Sequence, residues 1–247
     1  MLFEGFNGKI IWSADGISLK EIIEIIEKGG FPRDVAIKLD RLFLTKYGLQ
    51  AIDEVQKLGV PVFADAKIAE IPTKTNEIAK LHLEFAPWML NVMADVCSNG
   101  ITEVCGDEKL DELAQFAQLC EDVGTKSCAV TVLTSKTNKL AEKEFGKSAL
   151  DAVVFLSKLA IECGVRDIVC SPMEAKSVRM LDGLTGINTP GVRLPESSSD
   201  DQSRFMTPAK ALENGATRLV IGRDLSRDGK FAENYLKIMA NIEGREF

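Results

Sequence analysis

The chain contains a single histidine, His82, so a multi-histidine metal site cannot be assembled from it, and a Ser-His-Asp triad is not expected because its one available base lies in a helical stretch. His82 lies in a stretch with helical character and reads as a surface or packing residue. The six cysteines, Cys97, Cys105, Cys120, Cys128, Cys163 and Cys170, include no C-x-x-C pair. A chain of 247 residues does not need disulfides to hold a core, so free thiols are expected, with Cys128 and Cys170 as small core residues. Basic excess is missing too. With 37 acids against 30 bases the net charge is −7, which disfavours a nucleic-acid partner because no surplus of Lys and Arg is available to replace phosphate counterions. No apolar run approaches the roughly 20 residues of a membrane span. The N-terminus also lacks a basic region leading into an apolar one, so a cytoplasmic protein is the expectation.

What the chain does have is apolar residues in regular doses. At 45% hydrophobic composition it can bury a substantial core, and its 247 residues suit one domain spanning 1–247. Eight short runs rich in β-branched or apolar residues occur at 9–15, 35–40, 61–67, 88–94, 127–133, 167–171, 186–193 and 218–223. Each is separated from the next by enough residues for a helix. Ser18 and Glu21 form a capping box ahead of Ile22, Ile23, Ile25 and Ile26, and Gly29-Gly30 closes that segment. Thr207-Pro208 reads as an N-cap followed by proline at the first helical position, with Gly215 ending the helix. Further helices are expected over 47–58, 74–85, 108–123, 148–163 and 230–242. Eight βα repeats imply a single (β/α)8 TIM barrel, with an open doubly covered sheet as the structural alternative. The polar loop 195–204, after the seventh strand, reads as a lid.

In such a barrel, chemistry sits at the C-terminal ends of the strands. Asp15 ends the first run, Lys38 and Asp40 the second, Asp65 and Lys67 the third, and Ser135 follows the fifth. Strand alternation puts Asp65 and Lys67 on one face, roughly 6–7 Å apart. Structural ion pairs capping the barrel are the plain alternative, and for Asp40 and Arg193 a structural salt bridge is expected. At the end of the eighth run, Gly222-Arg223 suits a phosphate, because glycine permits close backbone approach and arginine offers a bidentate charged donor. Asp15 could instead cap the helix that begins near Ser18, and Ser135 could be an ordinary turn residue.

The spacing Asp65-x-Lys67-x-x-Glu70-Ile71-Pro72 resembles the Asp-x-Lys-x-x-Asp-Ile-Pro signature of orotidine 5'-phosphate decarboxylases, with Glu70 in place of the last Asp. The resemblance extends through Thr189-Pro190-Gly191-Val192-Arg193, Asp201-Gln202, Met206-Thr207-Pro208 and Val220-Ile221-Gly222-Arg223. It implies cofactor-free and metal-free decarboxylation of orotidine 5'-monophosphate (OMP) to UMP. Asp15 would then contact the ribose, Lys38 would hold Asp65, and Asp65 would lie against the substrate carboxylate. Lys67 would protonate the C6 carbanion, Ser135 would sit near the pyrimidine, and Gln202, Gly222 and Arg223 would grip the phosphate. The resemblance also implies a homodimer in which Glu70 and a ribose-site threonine reach the neighbouring active site. Thr73 and Thr75 both fit that threonine, and Thr75-Asn76-Glu77 is the closer local match. Two other functions fit the same pattern: a non-catalytic nucleotide-binding paralogue, and a magnesium-dependent sugar-phosphate lyase or decarboxylase on the same barrel.

Overall fold

The computed structural model describes residues 3, 5–97, 107–195 and 205–245. Eight parallel strands close into a barrel in chain order: β1 (Ile10–Ser13), β2 (Val35–Asp40), β3 (Val62–Ile68), β4 (Met89–Met93), β5 (Lys126–Val130), β6 (Asp167–Val169), β7 (Gly186–Thr189) and β8 (Arg218–Ile221), with β8 paired to β1. The first helices around it are α1 (Leu19–Glu27), α2 (Arg41–Tyr47), α3 (Gln50–Gln56), α4 (Pro72–Leu83), α5 (Asp107–Asp122) and α6 (Asn138–Phe145). They are followed by α7 (Ala149–Glu162), α8 (Ala175–Arg179), α9 (Pro208–Glu213), α10 (Arg223–Ser226) and α11 (Phe231–Ile242). The TIM barrel expected from the alternation is therefore present, and it is closed rather than open.

Local signals explain most boundaries. The Ser18 and Glu21 capping box forms in full at the start of α1, and Thr207 caps α9 by accepting from the Lys210 N–H. The helix expected over 47–58 is α3 and starts only at Gln50, because Gly48 takes φ 80° and separates it from α2, a helix over Arg41–Tyr47 that was not expected. Helix α6 was not expected. Thr137 caps it and Gly146 ends it in the left-handed region, an ordinary start and stop pair within a polar stretch. His82 is 8% exposed in α4, and its Nδ1 lies 2.8 Å from the Ile78 carbonyl oxygen, consistent with a packing role. Cys120, Cys128 and Cys170 are free thiols, and they and Cys163 are buried.

Strand side chains alternate, so each strand serves two cores. The outward set, including Ile10, Trp12, Ile37, Val62, Leu90 and Leu219, packs under the helices. The inward set forms layers. Its middle is apolar, built from Ile11, Ala36, Phe63, Met89, Cys128 and Val220. Below that belt, Arg218 donates to Asp167 Oδ1 at 2.5 Å, and both are nearly inaccessible. Asn188 also donates to Asp167 Oδ1, Trp88 stacks 5.2 Å from the guanidinium, and Phe6 packs edge-on against Trp88. Above the belt the inward phase turns polar, with Ser13, Lys38, Asp65 and Asn91.

Gly186 is the residue that makes room for the lower pair, since a β-carbon there would collide with the Asp167 carboxylate and the Arg218 guanidinium. Gly186→Ala should therefore break a buried ion pair and destabilise the fold by about 3–5 kcal/mol. A shift in the urea unfolding midpoint measures this; an unchanged midpoint would show that the pair tolerates displacement.

Candidate active site

Above the apolar belt, three adjacent strands contribute a four-member charged array, two of its members from β3. The Lys38 ammonium on β2 donates to Asp15 Oδ1, just past β1, and to Asp65 Oδ2 on β3, both at 2.9 Å. The Lys67 ammonium donates to the same Asp65 oxygen at 2.5 Å. Asp15 also accepts from the Ser13 hydroxyl at 2.8 Å, and it does not cap α1, a role filled by Ser18. Lys38 and Asp65 are almost fully enclosed, with side chains 9% and 6% exposed, whereas that of Lys67 is 38% exposed.

Burial pushes the Asp65 pKa up, but the nearby Lys38 and Lys67 ammonium groups more than reverse this and hold it at about 2. For Lys38, burial pushes the pKa down, and the Asp65 and Asp15 carboxylates outweigh it and raise it above the ordinary lysine value. The two shifts agree in favouring the charged forms of both partners.

The third strand departs from the regular alternation on which the expected Asp65–Lys67 spacing was based. On β4, Ala64 pairs with Leu90 and Ile68 with Val92, so Asp65, Ala66 and Lys67 together face only Asn91. Lys67 takes φ 43°, a left-handed conformation uncommon for a side chain of its size. Asn91 spans the irregularity, donating to Asp65 Oδ1 at 2.6 Å and accepting the Lys67 N–H at 2.7 Å. Its only trace in the sequence is one amide within the apolar run Trp88–Met93.

This array lies at one side of a cavity of about 590 Å³ at the C-terminal ends of the strands, a volume suited to a small-molecule ligand. Phe63, Val130, Val132, Val169 and Val220 supply apolar wall, and Thr134 and Leu133 border it. The side formed after β7 and β8 carries Arg193, Gly222, Arg223 and Arg227. Asp224 braces that side: it is 8% exposed, accepts the Leu194 N–H at 2.9 Å, and pairs with Arg227 at 2.9 Å. Three guanidinium groups against one carboxylate make this end attractive to an anion, in a chain whose net charge is −7.

The structure brings together Asp15, Lys38, Asp65, Lys67, Gly222 and Arg223. Ser135 is exposed and does not line the cavity; its neighbour Thr134 does. Glu70 is exposed and takes no part in the array of its own chain. Thr75 is 1% exposed, and its hydroxyl donates to the Glu70 carbonyl oxygen at 3.2 Å, whereas Thr73 lies on the exposed side of α4. Gln202, and the loop 196–204 that contains it, lie outside the described residues, although Arg193 N–H donating to Met206 O and Met206 N–H to Gly191 O join the loop's two ends. The salt bridges expected of Asp40 and Arg193 are absent among the described residues. Asp40 instead caps α2 by accepting the Phe43 N–H at 2.7 Å, and Arg193 faces the cavity. Thr134, Arg193, Arg227, Asp224 and Asn91 are thus the residues that sequence reasoning did not place here. Among the described residues no three His, Cys, Asp or Glu side chains gather as a metal site.

A buried lysine–aspartate array facing a cationic rim places this TIM barrel in the class of barrels with a site suited to an anionic ligand. Comparison with known proteins narrows it. Residues 8–238 match the family model described as "Orotidine 5'-phosphate decarboxylase / HUMPS family". Orotidine 5'-phosphate decarboxylase of Tolumonas auensis is 34% identical over 223 residues, covering 89% of this chain and 91% of that protein. The enzyme of the same name from Syntrophomonas wolfei is 32% identical over 243 residues, covering 95% and 98%. In fold, the chain resembles the crystal structure of orotidine 5'-phosphate decarboxylase from Lactobacillus acidophilus, with TM-score 0.74, 24% identity, and coverage of 95% of this chain and 99% of that one. An uncharacterized conserved protein from Geobacillus kaustophilus is similar at TM-score 0.73 and 21% identity, with coverage of 94% and 99%. The chain belongs to the orotidine 5'-phosphate decarboxylase / HUMPS family.

The buried array carries a pH prediction. The folded pKa of Asp65, about 2, lies below its ordinary value of 3.8. The ionised carboxylate therefore favours folding above pH 3.8, and this contribution is lost as pH falls through about 2. Carboxyl 13C NMR should show Asp65 still ionised at pH 3, where an ordinary Asp is mostly protonated; a titration midpoint at or above 3.8 would mean the two lysines do not dominate its environment.

Proposed function

We propose that this protein decarboxylates OMP to UMP and CO2 without a metal or organic cofactor. The observation that carries the proposal is the Asp65 carboxylate, held ionised between Lys38 and Lys67 beside a cavity whose other side is rimmed by arginines. The two ends suit the two ends of a nucleotide. The phosphate would meet Arg223, the Gly222 backbone and Arg193, with Gln202 joining them from the loop after β7, and Asp15 would meet the ribose. The pyrimidine would lie against the apolar wall near Thr134.

In that pose the substrate carboxylate lies next to Asp65. The bond from C6 to the carboxylate breaks, CO2 leaves, and the electron pair stays on C6. The Lys67 ammonium stabilises this developing charge and then transfers a proton to C6, forming UMP and leaving an amine that is reprotonated from solvent. Lys38 keeps Asp65 fixed and charged throughout. Because these groups are oriented by folding, little reorganisation is needed as charge develops. Phosphate binding at the far end supplies energy for orienting the reacting end.

The chain alone presents Glu70 on its surface, beside Ile71, an apolar side chain 63% exposed. This supports a homodimer in which Glu70 completes the partner's array. The burial of Thr75 favours Thr73 as the threonine that would cross with it.

The decisive measurement follows loss of OMP absorbance with purified, EDTA-treated protein. Conversion should persist without metal, and Lys67→Ala should lower the rate by about 10²–10⁴-fold or more, the range for losing a positioned acid. Arg223→Ala should lower kcat/KM by roughly 10–100-fold through loss of charged phosphate contacts. Tight UMP binding by folded wild-type protein without conversion would overturn the enzymatic reading in favour of a nucleotide-binding paralogue. Activity that requires added magnesium would point to the sugar-phosphate branch.

A further inference from the structure

We infer that Asn91 is a positioning residue of the reactive array, setting both the orientation of Asp65 and the backbone turn that aims Lys67. This rests on the functional proposal above. Three residues of β3 lie opposite Asn91 alone, so the regular ladder is interrupted where Asp65 and Lys67 must be presented. An interrupted ladder leaves backbone groups without strand partners, and a buried unpaired N–H is costly. The Asn91 side chain takes over that pairing, since its Oδ1 accepts the Lys67 N–H at 2.7 Å. The same amide donates through Nδ2 to Asp65 Oδ1 at 2.6 Å.

The two bonds require a donor and an acceptor at once, in a fixed arrangement. Reversing the amide would set its oxygen against a carboxylate and its NH2 against an N–H, so the two neighbours dictate a single orientation. Asn91 is 0% exposed, which leaves no solvent to replace either bond. Both lysines bind Asp65 Oδ2, so Asn91 is the group that holds Oδ1 and stops the carboxylate from turning about its own bond. The left-handed backbone of Lys67, at φ 43°, persists because its N–H is tied down. An apolar side chain of similar size would fill the space and supply neither function. Aspartate would keep the acceptor for Lys67 but place a second carboxylate against Asp65.

This difference separates the two roles. Wild-type, N91A and N91D proteins are compared by hydrogen exchange of the Lys67 backbone amide, by kcat on OMP, and by the Kd for UMP. In N91A, kcat should fall about 10²-fold, the effect expected of a misplacement near 1 Å. The Lys67 amide should lose protection, and the Kd for UMP should stay within about 3-fold because its phosphate contacts lie on the other side of the cavity. In N91D the amide should stay protected while kcat falls at neutral pH and recovers partly as pH is lowered, when the two carboxylates share a proton.

A kcat for N91A within about 3-fold of wild type would overturn the inference, as would parallel losses of kcat and UMP affinity, which would mark Asn91 as a general packing residue. If N91A does not fold, N91D carries the test through its pH profile. If wild-type protein converts no OMP, the functional proposal fails on its own. Exchange at Lys67 then still decides whether Asn91 holds the turn.

Discussion

An ionised carboxylate enclosed in a barrel survives only if its surroundings replace water, and Asp65 is the group on which this structure turns. Stripping a carboxylate of solvent costs several kcal/mol or more, so the surrounding charges must be close and correctly aimed. Lys38 and Lys67 share one of its oxygens and Asn91 holds the other. The partners come from three different strands, β2, β3 and β4, so the site exists only when parallel pairing sets all three in register. Strand register and the charged array are therefore one requirement. The ladders fix where Lys38 stands relative to Asp65, and the array gives polar residues a reason to occupy an inward phase that is otherwise apolar.

The barrel contains two buried ion-pair systems of similar composition, and their settings give them different roles. The Asp167–Arg218 pair lies below the apolar belt, backed by Asn188 and covered by Trp88 and Phe6. Its charged atoms are occupied and closed off, so it fixes structure. The Asp65 system lies above the same belt and borders the cavity. Between them, Phe63, Met89 and Val220 keep the two layers apart. The division agrees with the general behaviour of this fold, in which the N-terminal end provides stability and the C-terminal end provides chemistry.

Much of this was legible in the sequence, for reasons that differ by feature. The eight strands show because a doubly covered parallel strand is nearly continuously apolar, and runs such as Val35–Leu39 and Leu219–Ile221 have that form. The capping box at Ser18 and the Thr207-Pro208 start are local chemistry, readable without any partner. Lys38, Asp65 and Lys67 stood out as charges at the ends of such runs. What remained hidden depended on non-local pairing. The β3 irregularity follows from the match of β3 against β4, so neither the φ of Lys67 nor the role of Asn91 follows from local spacing. Helical phase decided the threonines: on α4, Thr75 turns inward and Thr73 outward. The difference between Ser135, which is exposed, and Thr134, which borders the cavity, is of the same kind, in a loop whose direction no periodicity constrains. Asp40 and Arg193 were both expected to be structural ion pairs, yet one caps a helix and the other faces the cavity.

The two lysines of the array are chemically identical and structurally unequal, and that inequality divides their labour. Lys38 is 9% exposed and already donates to two carboxylates, so moving it would strip Asp65 and Asp15 together. Lys67 is 38% exposed, touches only Asp65 in the array, and borders the open cavity. Within one chain the array is neutral, with Asp15 and Asp65 against Lys38 and Lys67, so an entering anionic group meets no net attraction there unless one ammonium turns toward it. Only Lys67 can turn without exposing a buried carboxylate, because Lys38 and Asn91 remain on Asp65 when it does. In the proposed reaction, a fixed counter-ion and a movable acid would thus be distinguished by burial and by the number of bonds each must give up. The left-handed turn at Lys67 is what brings the movable one to the cavity.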